Sequence, residues 1–251
     1  MAFVKSEKLQ PSITQITFFH ESQNSLPSSI LSELTQAIRV AGNDAETKVI
    51  ILKSGGDRTF CAGASFNELI TIQDFETGKK FFSGFALVIN ACRTCGKIVI
   101  GRVQGKAVGG GVGLASAVDY CFATQHAFVK LSELAVGIGP FVVGPAVERK
   151  VGLSAFSQMT LNATEFFPAQ WAKKKGLYAE VFENIEEMDS AVMTLAEKLA
   201  GSNPEALSML KKVFWEGTEH WDELLSKRAE MSGKLVLSEF TKAALAGYAK
   251  A

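Results

Sequence analysis

Four glycines within five positions, Gly109-Gly110-Gly111-Val112-Gly113, separate a β-branched run from the segment Leu-Ala-Ser-Ala-Val. The run before them, Ile98–Val103, reads as a strand, and the segment after them reads as a helix. The chain must therefore pass from strand to helix through backbone that carries almost no side chains. Glycine admits dihedrals that turn free N–H groups inward, and it lets a ligand approach the main chain. Where such a cluster opens a helix, the first amides and the positive end of the dipole face the same space.

A second glycine-bearing loop, Ser-Gly-Gly-Asp-Arg-Thr-Phe-Cys-Ala-Gly-Ala at 54–64, follows the short apolar run 48–53, which also reads as a strand. Residues 12–19 give a further strand, with Ile13, Ile16 and Phe18 as its apolar members. Pro27 opens a helix on which Ile30, Leu34 and Ile38 recur every four residues. A helix over about 76–92 carries Phe81, Phe82, Phe85, Val88 and Ile89, and short strands are expected at Tyr120–Thr124 and 127–131. This alternation predicts α/β architecture. From about Glu186 the pattern becomes helical, with Asn203-Pro204-Glu205 as a helix start. The aromatic residues Phe214, Trp215 and Trp221 of this tail fit core or a subunit interface better than a ligand box.

With 251 residues the chain is long enough for one sizeable core. Its 26 basic and 26 acidic residues cancel, and Lys173-Lys174-Lys175 is the one basic triplet, which argues against a nucleic-acid partner. No apolar run reaches the length of a membrane span, and the first ten residues lack a secretory apolar region, so a cytoplasmic location is expected. Cys61, Cys92, Cys95 and Cys121 then read as reduced thiols, and Cys92-x-x-Cys95 as the end of a helix rather than a metal or redox motif.

The three histidines, His20, His126 and His220, form no metal-binding spacing, and no metal is expected. No Gly-x-Ser-x-Gly elbow occurs. Gly101 to Lys106 approaches a phosphate-binding loop, but it is one residue short and has Ala107 where a magnesium-holding hydroxyl belongs. The 109–113 cluster lacks the third glycine of a dinucleotide fingerprint. Two glycine loops suit an oxyanion hole, with one amide from 60–65 and one from 109–113. They suit equally a pair of tight turns that let a helix pack closely on a strand.

Taken in order, these segments resemble the crotonase, or enoyl-CoA hydratase/isomerase, superfamily. Phe60-Cys-Ala-Gly-Ala64 is similar to its first loop, and Val103 through Ala115, followed by Asp119, to its second. Ser132-Glu133-Leu134 with Gly137-Ile-Gly-Pro140 is similar to the segment bearing a catalytic glutamate. Ala169, Gly176-Leu177 and Val181 match the stretch before the helical tail. The resemblance implies a spiral of β-β-α units over 1–190 with the acyl-CoA site, and a helical trimerisation region over 191–251. It implies a homotrimer or a hexamer of paired trimers. The implied substrate is an acyl-CoA thioester, with coenzyme A part of the substrate and no separate cofactor. Its carbonyl oxygen would sit between the amides of Ala64 and Gly110, and Ala62 with neighbouring backbone would hold the adenine.

The chain departs from the family pattern at two positions. Ser65 stands where an aspartate is common, which leaves a backbone donor intact. Gly113 stands where the hydratases carry the first of two glutamates, and only the second, Glu133, is present. Asp119, six residues on, reads as a structural partner. Glu133 alone could take the proton α to the thioester carbonyl and return it at the γ carbon, a 3-enoyl to 2-enoyl shift. Hydration, which moves both water and a proton, is served better by two carboxyls. The apolar stretch 139–143 is expected to exclude water and raise the Glu133 pKa. Isomerase is therefore favoured over hydratase. Decarboxylation through the same enolate, and a CoA-binding module without catalysis, are the alternatives.

Overall fold

The computed structural model describes residues 1–248. Its elements run β1 (Ala2–Gln10), β2 (Ile13–His20), β3 (Ser25–Leu26), α1 (Ser28–Asn43), β4 (Val49–Ser54), β5 (Thr59–Cys61), β6 (Gly63–Ala64), α2 (Phe66–Leu69), α3 (Phe75–Thr94), β7 (Ile98–Val103), β8 (Lys106–Val108) and α4 (Gly110–Ala117). They continue with β9 (Tyr120–Thr124), β10 (Val129–Lys130), a 3-10 turn (Glu133–Val136), α5 (Gly144–Leu161), α6 (Ala169–Lys174), β11 (Glu180–Phe182), α7 (Ile185–Ala200), α8 (Pro204–Phe214), α9 (Trp221–Leu235) and α10 (Glu239–Tyr248).

A six-stranded sheet of order β1-β2-β4-β7-β9-β11 forms the frame. Only the β1–β2 pair is antiparallel; the inner strands are parallel. Parallel strands covered on both faces read as continuous apolar runs, and β4 and β7 do, because their residues are almost all buried. No such signal marks β1. It is an edge strand exposed along most of its length, and cross-strand pairing with β2 holds it in place.

A second, smaller sheet has the order β10-β8-β5, and β3 pairs with β6. These short strands place the two glycine loops side by side. Strand β5 runs parallel to β8, so the ends of both strands, where the loops begin, lie at one edge. The expected strand at 127–131 is shorter than its composition suggests, because only Val129 and Lys130 pair with β8.

Helix α1 buries Ile30, Leu34 and Ile38, the expected stripe, together with Leu31 and Ala41. Its first turn lacks a cap from its own N-cap residue, Pro27. Glu68 of α2 supplies one instead, accepting from the Ser28 amide at 2.7 Å and the Ser28 hydroxyl at 2.5 Å. Helix α3 starts at Asp74, whose carboxylate accepts from the Thr77 amide at 2.8 Å, and buries Phe81, Phe85, Val88, Ile89 and Cys92. Helix α8 starts where expected, with Asn203 accepting from the Glu205 amide at 2.9 Å.

The tail aromatics divide. Trp215 and Trp221 are buried edge-to-face at 5.8 Å, while Phe214 is exposed. All four cysteines are free thiols. Among the described residues no helix is long and apolar enough to cross a membrane. No group of three or more His, Cys, Asp or Glu side chains that could hold a metal comes together there.

Candidate active site

The two glycine loops touch. Gly63 has φ +90° and Gly109 has φ +52°, backbone that only glycine adopts readily. A β-carbon on Gly63 would stand 3.0 Å from the Val108 carbonyl oxygen and 3.5 Å from the Gly110 nitrogen. One on Gly111 would stand 2.4 Å from the Cys61 carbonyl oxygen. The glycines are thus needed for close packing, and the same packing brings the Gly63 backbone beside the Gly110 amide. Gly110 begins α4, so its N–H has no acceptor within the helix. The Gly109 N–H is already spent on the Lys130 carbonyl at 2.8 Å. On the other loop the Ser65 N–H bonds the Leu26 carbonyl at 2.9 Å.

Both Ala64 and Gly110 line a cavity of about 320 Å³. Ala62 lines it too, beside Ser25 and Gly63, and its N–H reaches the Asn24 carbonyl at 3.3 Å. Phe66, Leu69, Phe82, Phe85 and Leu245 make its walls apolar. Of the aromatic residues after Ser65, Phe82 and Phe85 reach the cavity, Phe81 is buried in the core beside it, and Phe75 is exposed.

Glu133 enters the same cavity. The Gly109–Lys130 bond between the start of α4 and β10 places it, and the 3-10 turn that it opens fixes it. The Ile138 amide bonds the Glu133 carbonyl at 3.0 Å. A β-carbon on Gly109 would stand 3.0 Å from Glu133 Oε1, so the carboxyl lies against the start of α4. The residue as a whole is half-buried, but Oε2 is buried without a hydrogen-bond partner. Burial lifts the pKa of this carboxyl from 4.5 to about 7. The expected apolar cover is present, because Gly139, Pro140, Phe141, Val142 and Val143 all line the cavity.

Gly113 lies in the first turn of α4, and its amide bonds the carbonyl of the N-cap residue Gly109 at 3.3 Å. A β-carbon there would stand 2.4 Å from Val143 Cγ1 and 2.7 Å from its Cβ. The isopropyl group of Val143 therefore fills the space where a side chain at 113 would begin. The missing carboxylate shows in the sequence; the valine that occupies its place does not.

Asp119 has a different role. Its Oδ2 accepts from Lys211 Nζ at 2.6 Å and from the Val99 amide at 2.8 Å, and its Oδ1 from Trp215 Nε1 at 2.8 Å. It ties β7 to α8 as a structural partner. A larger cavity, about 570 Å³, opens beside it among Leu195, Leu207, Phe214 and Trp215. Among the described residues its one carboxylate is this fully engaged aspartate, whereas the smaller cavity holds an acid with an oxygen that has no partner. The phosphate-loop-like Lys106 lines neither cavity, and its Nζ sits 5.1 Å from the Phe166 ring centroid.

Comparison with known proteins fits this geometry. Residues 8–249 match the model of the enoyl-CoA hydratase/isomerase family, and the chain belongs to that family. It is 28% identical over 211 residues to the peroxisomal Delta(3,5)-Delta(2,4)-dienoyl-CoA isomerase of Arabidopsis thaliana, covering 78% of this chain and 74% of that one. It is 30% identical over 227 residues to the short-chain-enoyl-CoA hydratase of Clostridium acetobutylicum, covering 90% and 86%. The fold superposes on the crystal structure of an enoyl-CoA hydratase from Bacillus halodurans with a TM-score of 0.89 at 22% identity, over 97% of this chain and 99% of that one. The architecture is the crotonase fold, and the chain is an enzyme of this family. Isomerases and hydratases both stand among its relatives.

Proposed function

We propose that the protein is an enoyl-CoA isomerase that shifts a 3-enoyl-CoA double bond to the 2 position with Glu133 as the single base. The observation that carries this reading is the pairing of an unpartnered, buried Glu133 carboxyl with a Gly113 position already filled by Val143. The thioester carbonyl oxygen accepts the Ala64 and Gly110 amides. Ala62 and the backbone beside it take the adenine end of coenzyme A. Glu133 takes a proton from the carbon next to the carbonyl, and the electron pair moves to the carbonyl oxygen as an enolate. Each such donor is worth about 3 kcal/mol to the barrier. The carboxyl then returns the proton at the γ carbon, the enolate collapses, and the double bond ends in conjugation. Atoms and charge balance without a second acid.

A base with a pKa near 7 suits this work, because it is ionised enough to abstract and acidic enough to return a proton at neutral pH. The test is to incubate the protein with a 3-enoyl-CoA and separate the products by mass and retention. A conjugated 2-enoyl-CoA of unchanged mass is the expected result. A 3-hydroxyacyl-CoA, heavier by one water, would replace this reading with hydration through a water held by Glu133. Binding without conversion of any 3-enoyl-CoA would replace it with a CoA-binding module.

A further inference from the structure

The Glu133 cavity has a neighbour. A second cavity, of about 350 Å³, is lined by Leu134, Pro145, Phe156, Thr160 and Leu161 among others. Ile138, Gly139, Pro140 and Phe141 line both spaces, so one short stretch of chain is the partition between them. Phe141 is the bulkiest side chain in that partition. Its ring folds back over Gly139, where a β-carbon would stand 2.7 Å from Cζ and 2.8 Å from Cε2. The Phe141 amide bonds the Gly139 carbonyl at 2.8 Å, which holds the fold-back. On the far side, Phe156 packs against Gly144, and the Thr160 hydroxyl is spent on the Phe156 carbonyl at 2.9 Å. The second cavity thus offers a mostly apolar lining with no free hydroxyl from Thr160, and Glu148 and Arg228 are its charged members.

We infer that Phe141 sets the acyl-chain length this site accepts, by closing the Glu133 cavity against the second cavity, which would otherwise take the distal carbons of a longer chain. The inference rests on reading the Glu133 cavity as the acyl pocket. Ligand pockets run from about 300 to 1,000 Å³, and this space of about 320 Å³ also takes the thioester at Ala64 and Gly110 and the coenzyme A end at Ala62, so the part left for the acyl group suits a short chain. Joining the two spaces roughly doubles the room.

The experiment measures binding of saturated acyl-CoAs of increasing length, and conversion of the matching 3-enoyl-CoAs. Each buried methylene strengthens binding by about fourfold. In the native protein this climb ends at a short chain. In Phe141→Ala it continues for several more carbons, and Phe141→Leu gives a smaller extension should the alanine variant fold poorly. Refilling the second cavity, as Phe141→Ala with Thr160→Trp, returns the limit toward the native one. An unchanged limit in folded Phe141→Ala and Phe141→Leu overturns the inference, and so does an extension that refilling leaves intact. Short-chain conversion by the native protein separates the two readings. If it persists while the limit stays fixed, only the role of Phe141 falls. If no acyl-CoA of any length binds, both fall.

Discussion

Asp119 and Glu133 both bury carboxyl oxygens, and their surroundings are opposite. Asp119 receives three donors, from Lys211, Trp215 and the Val99 amide. Glu133 has an oxygen buried with no donor at all. A buried charge with all its partners in place holds elements together. A buried acid without partners raises the energy of its ionised form, and that cost is tolerated where the group has work to do. Cavity size points the other way, since the larger space adjoins Asp119. The proposed function follows the unsatisfied acid and not the volume.

Substitution at Glu133 strikes this contrast hardest. Replacing it by Gln should lower turnover of a 3-enoyl-CoA by about 10⁴-fold, the upper end for a general base, because no second carboxyl among the described residues lines the cavity. Acyl-CoA affinity should stay near native. A variant that keeps most of its activity would show that the base lies elsewhere. Asp119→Ala should act on the fold instead. It leaves the Lys211 ammonium buried and unpaired, at a cost of about 3–5 kcal/mol in denaturant unfolding. Activity per folded molecule should survive. If Asp119→Ala removed activity without loss of stability, the division of roles would collapse.

Smaller effects sharpen the picture. Gly113→Ala drives a methyl group into Val143 and should cost about 1–3 kcal/mol, with Val143→Ala restoring most of it in the double variant. Additive losses would mean that the two residues do not share that space. The smallest effect concerns pH. The Glu133 pKa is about 7 in the fold against 4.5 ordinarily, so between these values the folded state holds more protons than the unfolded one. Stability from this group is present below pH 4.5 and is lost as pH rises through 7. Glu133→Gln removes the loss, so its stability relative to the native protein should rise by about 1 kcal/mol between pH 5 and pH 6. A pH-independent difference in unfolding free energy would show that the carboxyl is not desolvated. The pH-rate profile should show activity falling as pH drops below about 7.

Much of the site is legible in the order of residues. The 109–113 glycines, the 60–65 loop, Glu133 and the apolar 139–143 stretch all lie in local patterns, and the cavity gathers residues from each. Helix α5 shows no comparable pattern, because Gly144-Pro145 opens it without a capping side chain and a kink at Gly152, with φ +76°, interrupts its period. Strand β1 is equally silent, since an exposed edge needs no apolar alternation. The cap that Glu68 gives to α1 joins residues 40 positions apart and leaves no local trace.

Residue order is enough to dictate the α/β alternation, the two loops able to present amides, and the count of one glutamate where two would serve hydration. These are matters of local dihedral freedom, side-chain period and residue chemistry, which neighbours in the chain decide. Folding adds that Glu133 Oε2 has no partner, that Asp119 has three, that Val143 fills the Gly113 position, and that Phe141 stands between two cavities. Burial, pairing and packing depend on which distant segments meet, and no stretch of sequence records that meeting.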